Sequence, residues 1–564
     1  MAKKFIIFAG VLILLAAVMG GTIGSSKRLR RSVSIGGPVN DKPTEEIEKD
    51  YDEAVTTVSA NYVGEIDYEK ATQAAVQGML TTLDPHSAYF PFSEFKKLKE
   101  DQDSRFYGIG VTIVQHRDGV YIQSAVENTP AARLGLRYGD RILKVDGKDA
   151  RDWSSEQVSK NVRGALGKPV TIKVERAGAE APIDFTLVRD AVPLPSIRNA
   201  YMVRSGTGYI GLTGGFQHTT DEELREALTK LKDQGMRQLI LDLRGNPGGL
   251  LDQAIDVSSE FLPRGQVVVS VKGRGDYNEP IVYKSSGTEP EDVPLVVLIN
   301  RGTASASEIV AGAIQDHGRG LVVGETSFGK GLVQRVYQLP FNTGLTLTTA
   351  RYYTPYGRSL QREYSSGAFY DYFVKHDESE NKPPSSNGSA TPAPVSSNAL
   401  PQTGPAVKTA AGRVFYGGGG ITPDIDQKPL NFTPERAKVA EAAFQFTRQL
   451  AAGLVPGLES FKVDKVQYGR NPKANEFAIT DRVLEAFRAW VRLDAESQLT
   501  PAQIEEELDF VKLRLREEIV TAAFSNDAGA RILLDSDPQV LRALEALPDA
   551  KRLAESVRGG SSRS

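Results

Sequence analysis

Residues 294–334 read PLVVLINRGTASASEIVAGAIQDHGRGLVVGETSFGKGLVQ. An apolar strand over 294–299 turns tightly at Arg301-Gly302 and enters a helix through small hydroxyl and methyl side chains. A second apolar strand follows at 321–323, and then Lys330 between two glycines. Strand, helix and strand in direct succession predict a layered α/β unit. Ligand chemistry in such units sits at the carboxyl ends of strands, where Ser305 falls.

Upstream the same alternation continues. A strand at 209–212 precedes a helix that opens on the acidic TTDEE (219–223) and stops at Gly235. A buried strand at 238–243 ends in RGNPGG (244–249) and feeds a helix over 250–262. The α/β unit therefore runs from about 191 to 426.

The chain has 564 residues, too many for one core, and suggests three or four domains. A formal net charge of -3 gives no basic field for nucleic acid. Cysteine is absent, which excludes disulfides, thiol catalysis and thiolate metal sites. Lys3-Lys4, an apolar run to about Ile23 and the basic Lys27 to Arg31 mark residues 1–26 as a signal peptide or membrane anchor. The anchor reading is preferred, because no convincing small-residue cleavage site follows the run. It places the protein outside the cytoplasm, in a bacterial envelope or periplasm, anchored to the inner membrane.

Residues 43–105 carry two helical patterns, Ile47, Tyr51, Val55 and Val58, then Ala71, Ala75 and Met79, ended by LDPHS (83–87). From 106 to 190 the period changes to strands: YGIG (107–110), an Asp118-Gly119 turn, TPAARLG (129–135) and GDRILKVDG (139–147). This stretch resembles a PDZ domain, which captures a peptide C-terminus by β-augmentation. The resemblance makes Tyr107, Gly108, Ile109 and Gly110 the carboxylate cradle. About 376–412 the composition turns to Pro, Ser, Asn, Ala and Thr, a disordered insertion. Residues 427–564 read as amphipathic helices, a capping or dimerisation module.

A nucleophilic serine needs a base. Of five histidines, His317 lies ~18 Å from Ser305 along a straight helix, and none of the others sits in a triad-like setting. Lys330 can serve if burial lowers its pKa from ~10.4 towards ~7–8. On spacing alone a surface lysine in a glycine turn remains the commoner reading. GETSFGK (324–330) matches seven positions of a phosphate-binding loop, but Gly331 stands where Ser or Thr must hold magnesium, so nucleotide binding is set aside.

LDPHS (83–87), the PDZ signature, DLRGNPGG (242–249), ASASE (304–308) and GETSFGKG (324–331) together resemble the carboxyl-terminal processing (tail-specific) peptidases. That resemblance implies a ClpP/crotonase-like layered protease core with an inserted PDZ domain and helical modules at both ends. It implies Ser305 as nucleophile, Lys330 as base and Gln334 orienting the lysine. The oxyanion would lie between backbone amides of Ala306 and Gly249. Asp316 also matches a family position, but ~16 Å along the helix from Ser305 makes it structural. Ser307 and Glu308 read as packing or capping residues. The expected partners are protein or peptide substrates with free apolar C-termini and the membrane, with a homo-oligomer or adaptor left open. No cofactor, metal or nucleic acid is expected. Two rivals stand beside a Ser-Lys endopeptidase: a non-catalytic peptide-binding scaffold of the same fold, and a hydrolase with another base.

Overall fold

In the computed structural model the apolar run Leu295–Ile299 lies inside a six-stranded sheet. The structure describes residues 44–274, 279–363, 372, 404–410, 412–470, 472–473, 476–494 and 496–561. The N-terminal apolar segment and most of the Pro/Ser-rich insertion fall outside these. Among the described residues no helix is long and apolar enough to cross a membrane.

The sheet runs, in spatial order, Ile197–Arg204, Thr207–Leu212, Gln238–Asp242, Leu295–Ile299, Leu321–Gly324 and Ile425–Asp426. Its first pair is antiparallel and the rest are parallel. Alternate residues of a strand face opposite sides. Leu295, Val297 and Ile299 pack with Leu239, Leu241 and the helices Thr220–Asp233, Leu251–Ser259 and Ala306–Asp316. Val296 and Leu298 pack with Ile240 and with Ala543, Leu547 and Ala550 of the helix Pro538–Ser561. Burial on both faces is why these strands show no polar alternation. The helix 538–561 therefore covers the outer face of the six-stranded sheet.

A second sheet runs Ala88–Phe90, Gly344–Tyr353, Val267–Gly273 and Ile281–Lys284, with Leu332–Gln338 also paired to Gly344–Tyr353. Its first strand comes from the N-terminal module, with Ala88 opposite Thr346. A three-residue strand is too short to announce itself in sequence, and it ties LDPHS to the core. The helices Thr44–Asn61 and Tyr68–Thr81 form as predicted. The periodic face Ile47, Tyr51, Val55, Val58 is nonetheless 44–56% exposed, so its spacing does not mark a buried face.

The PDZ-like module is a six-stranded sheet with helices Pro130–Leu134 and Ser155–Val162 around its own core. Tyr121 and Tyr138 leave that core and join the cluster built by the helices Pro434–Ala451, Asp481–Leu493 and Leu508–Ala523. His116 stacks on Phe444 with ring centroids 3.6 Å apart, and its Nδ1 lies 2.7 Å from Glu441. The buried Arg448 donates to the Gly139 carbonyl at 3.0 Å and to the Tyr121 hydroxyl at 3.3 Å. These C-terminal helices thus brace the PDZ-like module. The insertion also ends earlier than expected: Ala406–Lys408 pairs antiparallel with Val414–Tyr416, closed by a Thr409 to Arg413 turn. Val407 and Phe415 stand opposite each other there, a pairing that a composition count over the whole insertion cannot register.

Candidate active site

Two neighbouring strand ends are laced together beneath Ser305. The Asn300 side-chain oxygen accepts the N–H groups of Gly245 (2.9 Å) and Gly302 (3.0 Å), and Thr303 Oγ1 donates to the Leu243 carbonyl at 2.8 Å. Ala304 N–H and Ser307 Oγ both donate to the Asn246 carbonyl. The lacing forces Ser305 into φ 56°, ψ -118° just before the helix Ala306–Asp316. A non-glycine residue with positive φ is uncommon, and such strain costs ~1–3 kcal/mol. Ser305→Gly is therefore expected to be more stable than Ser305→Ala by ~1–2 kcal/mol, after the larger chain entropy of glycine is subtracted. Equal midpoints in urea for the two variants would show that no strain is held there.

The turn 247–249 rides on the serine. At Gly248 (φ 94°) a Cβ would come within 2.7 Å of Ser305 Cβ and 2.8 Å of Ala306 N, so only glycine fits. The Gly248 N–H is spent on Asn246 Oδ1 at 2.9 Å. Among the described residues the N–H groups of Gly249 and Ala306 meet no acceptor. They are the two donors open beside Ser305.

The lysine turn has no regular secondary structure, yet each of its five consecutive amides is bonded. Ser327 N–H donates to Ile421 O (3.0 Å), Phe328 to Thr303 O (2.9 Å), Gly329 and Lys330 to the Glu308 carboxylate (2.7 and 2.9 Å), and Gly331 to Gln361 Oε1 (2.9 Å). The strand Leu332–Gln338 then follows, where a phosphate-binding loop would need a helix. Lys330 is only partly accessible, and its removal from water lowers its pKa to about 8 against the opposing pull of Glu308 and Asp84. No carboxylate lies within 4.0 Å of its amine among the described residues. The main chains of Ser305 and Lys330 meet at Glu308 and at the Tyr352 hydroxyl, and among the described residues their side chains form no hydrogen bond with each other.

LDPHS now has a place. Asp84 accepts the N–H groups of His86 (2.7 Å) and Ser87 (2.9 Å) and the Ser87 hydroxyl (2.7 Å), so the loop is a self-bonded turn. Ser87 Oγ accepts Thr348 N–H at 3.1 Å, and Gln334 Nε2 donates to Thr348 Oγ1 at 3.1 Å. Gln334 thus meets the lysine's surroundings through Thr348, Ser87 and Asp84, with no direct bond to Lys330 among the described residues. Burial, with Lys330 and Arg362 nearby, holds His86 well below the usual histidine pKa, and its Nε2 lies 3.0 Å from the Tyr372 hydroxyl. His317 is remote, 2.7 Å from the Val267 carbonyl. In the PDZ-like module Tyr107 and Gly108 belong to a strand, opposite Ala191 and Asp190. Ile109 and Gly110 form the turn that follows, ahead of the strand Val111–His116.

Sequence reasoning missed Asp84, His86 and Tyr352, and gave Glu308 too small a part. One signal was present for Glu308: Ser305-x-x-Glu308 has capping-box spacing, and Glu308 does accept Ser305 N–H at 2.8 Å.

Residues 206–371 match the model of peptidase family S41, and residues 108–187 match that of the PDZ domain. With the layered sheet and the serine elbow, the chain belongs to the S41 family, the serine-type C-terminal processing peptidases. It is 39% identical over 308 residues to the carboxy-terminal-processing protease of Bartonella bacilliformis, spanning 54% of this chain and 70% of that one. It is 32% identical over 360 residues to the carboxy-terminal processing protease CtpA of Bacillus subtilis, spanning 64% and 74%. The solved photosystem II D1 C-terminal processing protease is 30% identical, with TM-score 0.33 over 55% of this chain and 83% of that one.

Proposed function

We propose that Ser305 and Lys330 form a catalytic dyad that cuts exported proteins near their C-termini while the PDZ domain holds the tail. The observation that carries this reading is the setting of Lys330: among the described residues no carboxylate lies within 4.0 Å of its amine, and its removal from water lowers its pKa to about 8. Such an amine is uncharged in a usable fraction near neutral pH.

Lys330 Nζ takes the Ser305 proton as Oγ bonds to the scissile carbonyl carbon, which requires the two tips to close to ~2.6–3.2 Å. The carbonyl oxygen becomes an oxyanion that Ala306 and Gly249 N–H groups receive at the mouth of a helix. The C–N bond then breaks, Lys330 gives the proton to the leaving amine, and water hydrolyses the acyl-serine. Gln334 contributes to orienting the lysine through the Thr348, Ser87 and Asp84 line. Tyr107, Gly108, Ile109 and Gly110 cradle the substrate's terminal carboxylate, which favours free apolar tails. The basic and apolar pattern of residues 1–26 supports an envelope or periplasmic location with an inner-membrane anchor.

The test is cleavage of an unfolded protein ending in a free apolar tail. Wild type should cut it, Ser305→Ala should not, and amidation of the tail should raise KM more than it lowers kcat. Tail binding without turnover by wild type would leave only a scaffold.

A further inference from the structure

The four-donor shell around Glu308 exceeds what a helix cap needs. A cap satisfies one or two N–H groups of its own helix. Glu308 is fully buried and accepts Ser305 N–H at 2.8 Å, Gly329 N–H at 2.7 Å, Lys330 N–H at 2.9 Å and the Ser327 hydroxyl at 2.5 Å. Its two oxygens therefore hold the serine elbow and the lysine turn at once. On the other side of the same two residues, the buried Tyr352 hydroxyl lies 3.2 Å from the Ser305 carbonyl and also bonds the Lys330 carbonyl. Burial and the nearby Glu308 hold the Tyr352 pKa well above its usual value, so the hydroxyl keeps its proton as a donor. The main chains of both residues are gripped by N–H and by C=O.

We infer that Glu308 is a positioning residue that sets Ser305 and Lys330 in a common frame, with Tyr352 completing the frame from the carbonyl side. The inference rests on the Ser-Lys reading. It also assigns Glu308 a second effect, because its charge is one of two that favour the protonated amine; the other is Asp84. Among the described residues the other titratable groups facing this corner are His86, Arg362, Tyr372 and Tyr352. Misplacement of reacting groups by about 1 Å can cost ~10²-fold in rate.

The experiment measures kcat, KM and pH profiles for Glu308→Gln, Glu308→Asp and Tyr352→Phe, with affinity for an apolar-tailed peptide as the control for folding. Glu308→Gln removes a negative charge and leaves N–H groups facing an amide. Its kcat should fall ~10²-fold, and its acid limb should move to lower pH as the lysine loses a charge that kept it protonated. Glu308→Asp keeps the charge, so its kcat should fall with the acid limb in place. Tyr352→Phe should lower kcat with KM and peptide affinity unchanged. Should Glu308→Gln fail to bind the tail peptide, Tyr352→Phe and Ser327→Ala decide: loss of kcat in both supports the frame. Wild-type kcat in both, or a Glu308→Gln variant with an unmoved acid limb, overturns it. Turnover by Lys330→Met would overturn the dyad reading and this inference together, whereas an inactive Lys330→Met beside a wild-type-like Glu308→Gln would overturn this inference alone.

Discussion

Lys330→Met should leave at most ~10⁻² of wild-type turnover at pH 8, and at pH 7 it should be the more stable protein. The two effects have one cause. The amine titrates near ~10.4 in the unfolded chain and at about 8 in the folded site, chiefly through desolvation. Between those values the unfolded chain binds more protons than the folded one, so wild-type stability rises with pH through that window. Below pH 8 the folded site carries a poorly solvated charge at a cost of up to ~3 kcal/mol. Methionine fills a similar volume without the charge, so the variant gains that amount at pH 7. Its advantage should shrink steadily from pH 8 towards 10.4, where wild type no longer carries the charge. For the active enzyme the sign is the same: a base must be unprotonated, so kcat/KM should fall with decreasing pH below about 8. Urea midpoints across pH 6–10.5, beside turnover of the tailed substrate, check both. A variant that is less stable at pH 7, or a stability gap that ignores pH, would show that Lys330 is not held in a desolvating site.

The same lysine shows how far the sequence could be read. Lys330 was recognisable only from its motif, because a glycine-flanked lysine looks like surface until the chain that covers it is known. The layered core was legible directly: Leu295–Ile299 and Gln238–Asp242 carry apolar residues on both faces because both faces are covered. Ser305 was singled out as nucleophile only through the ASASE motif, because small hydroxyl residues at a helix entry serve equally as ordinary caps. Asp84 was not, since its effect on Lys330 depends on the pairing of Ala88 with Thr346, made across more than 250 residues of chain. Tyr352 was equally opaque, for a strand tyrosine does not reveal which carbonyls its hydroxyl meets. The C-terminal helices declared a buried face through their amphipathic pattern. Their spacing was silent on what covers that face, which turns out to include Tyr121 and Tyr138 of the PDZ domain and, for the last helix, the core sheet.

Asp316→Ala should destabilise the protein by ~3–5 kcal/mol without altering the chemistry of the molecules that stay folded. Asp316 and Arg358 are 1% and 2% exposed and form an ion pair. Asp316 also accepts Tyr356 N–H at 3.2 Å, and Arg358 donates to Gln315 Oε1 at 3.0 Å with its guanidinium 4.6 Å from the Phe415 ring. Removal of the carboxylate leaves a cation that can neither reach water nor shed its proton, which is the costly way to break a buried pair. Removal of both partners is far cheaper, so Asp316→Ala combined with Arg358→Leu should recover much of the loss. The contrast separates structure from catalysis. Asp316 sits at the far end of the Ser305 helix, and the turn it anchors leads towards Gly418, whose N–H bonds the Ser359 carbonyl. If its role is structural, Asp316→Ala at low temperature should keep the wild-type acid limb near pH 8, with specific activity tracking the folded fraction in urea. The double variant should then regain activity in step with stability. An Asp316→Ala protein that melts like wild type yet fails to turn over would instead place this carboxylate in the reaction, and the separation of the two helix ends would have to be abandoned as an argument.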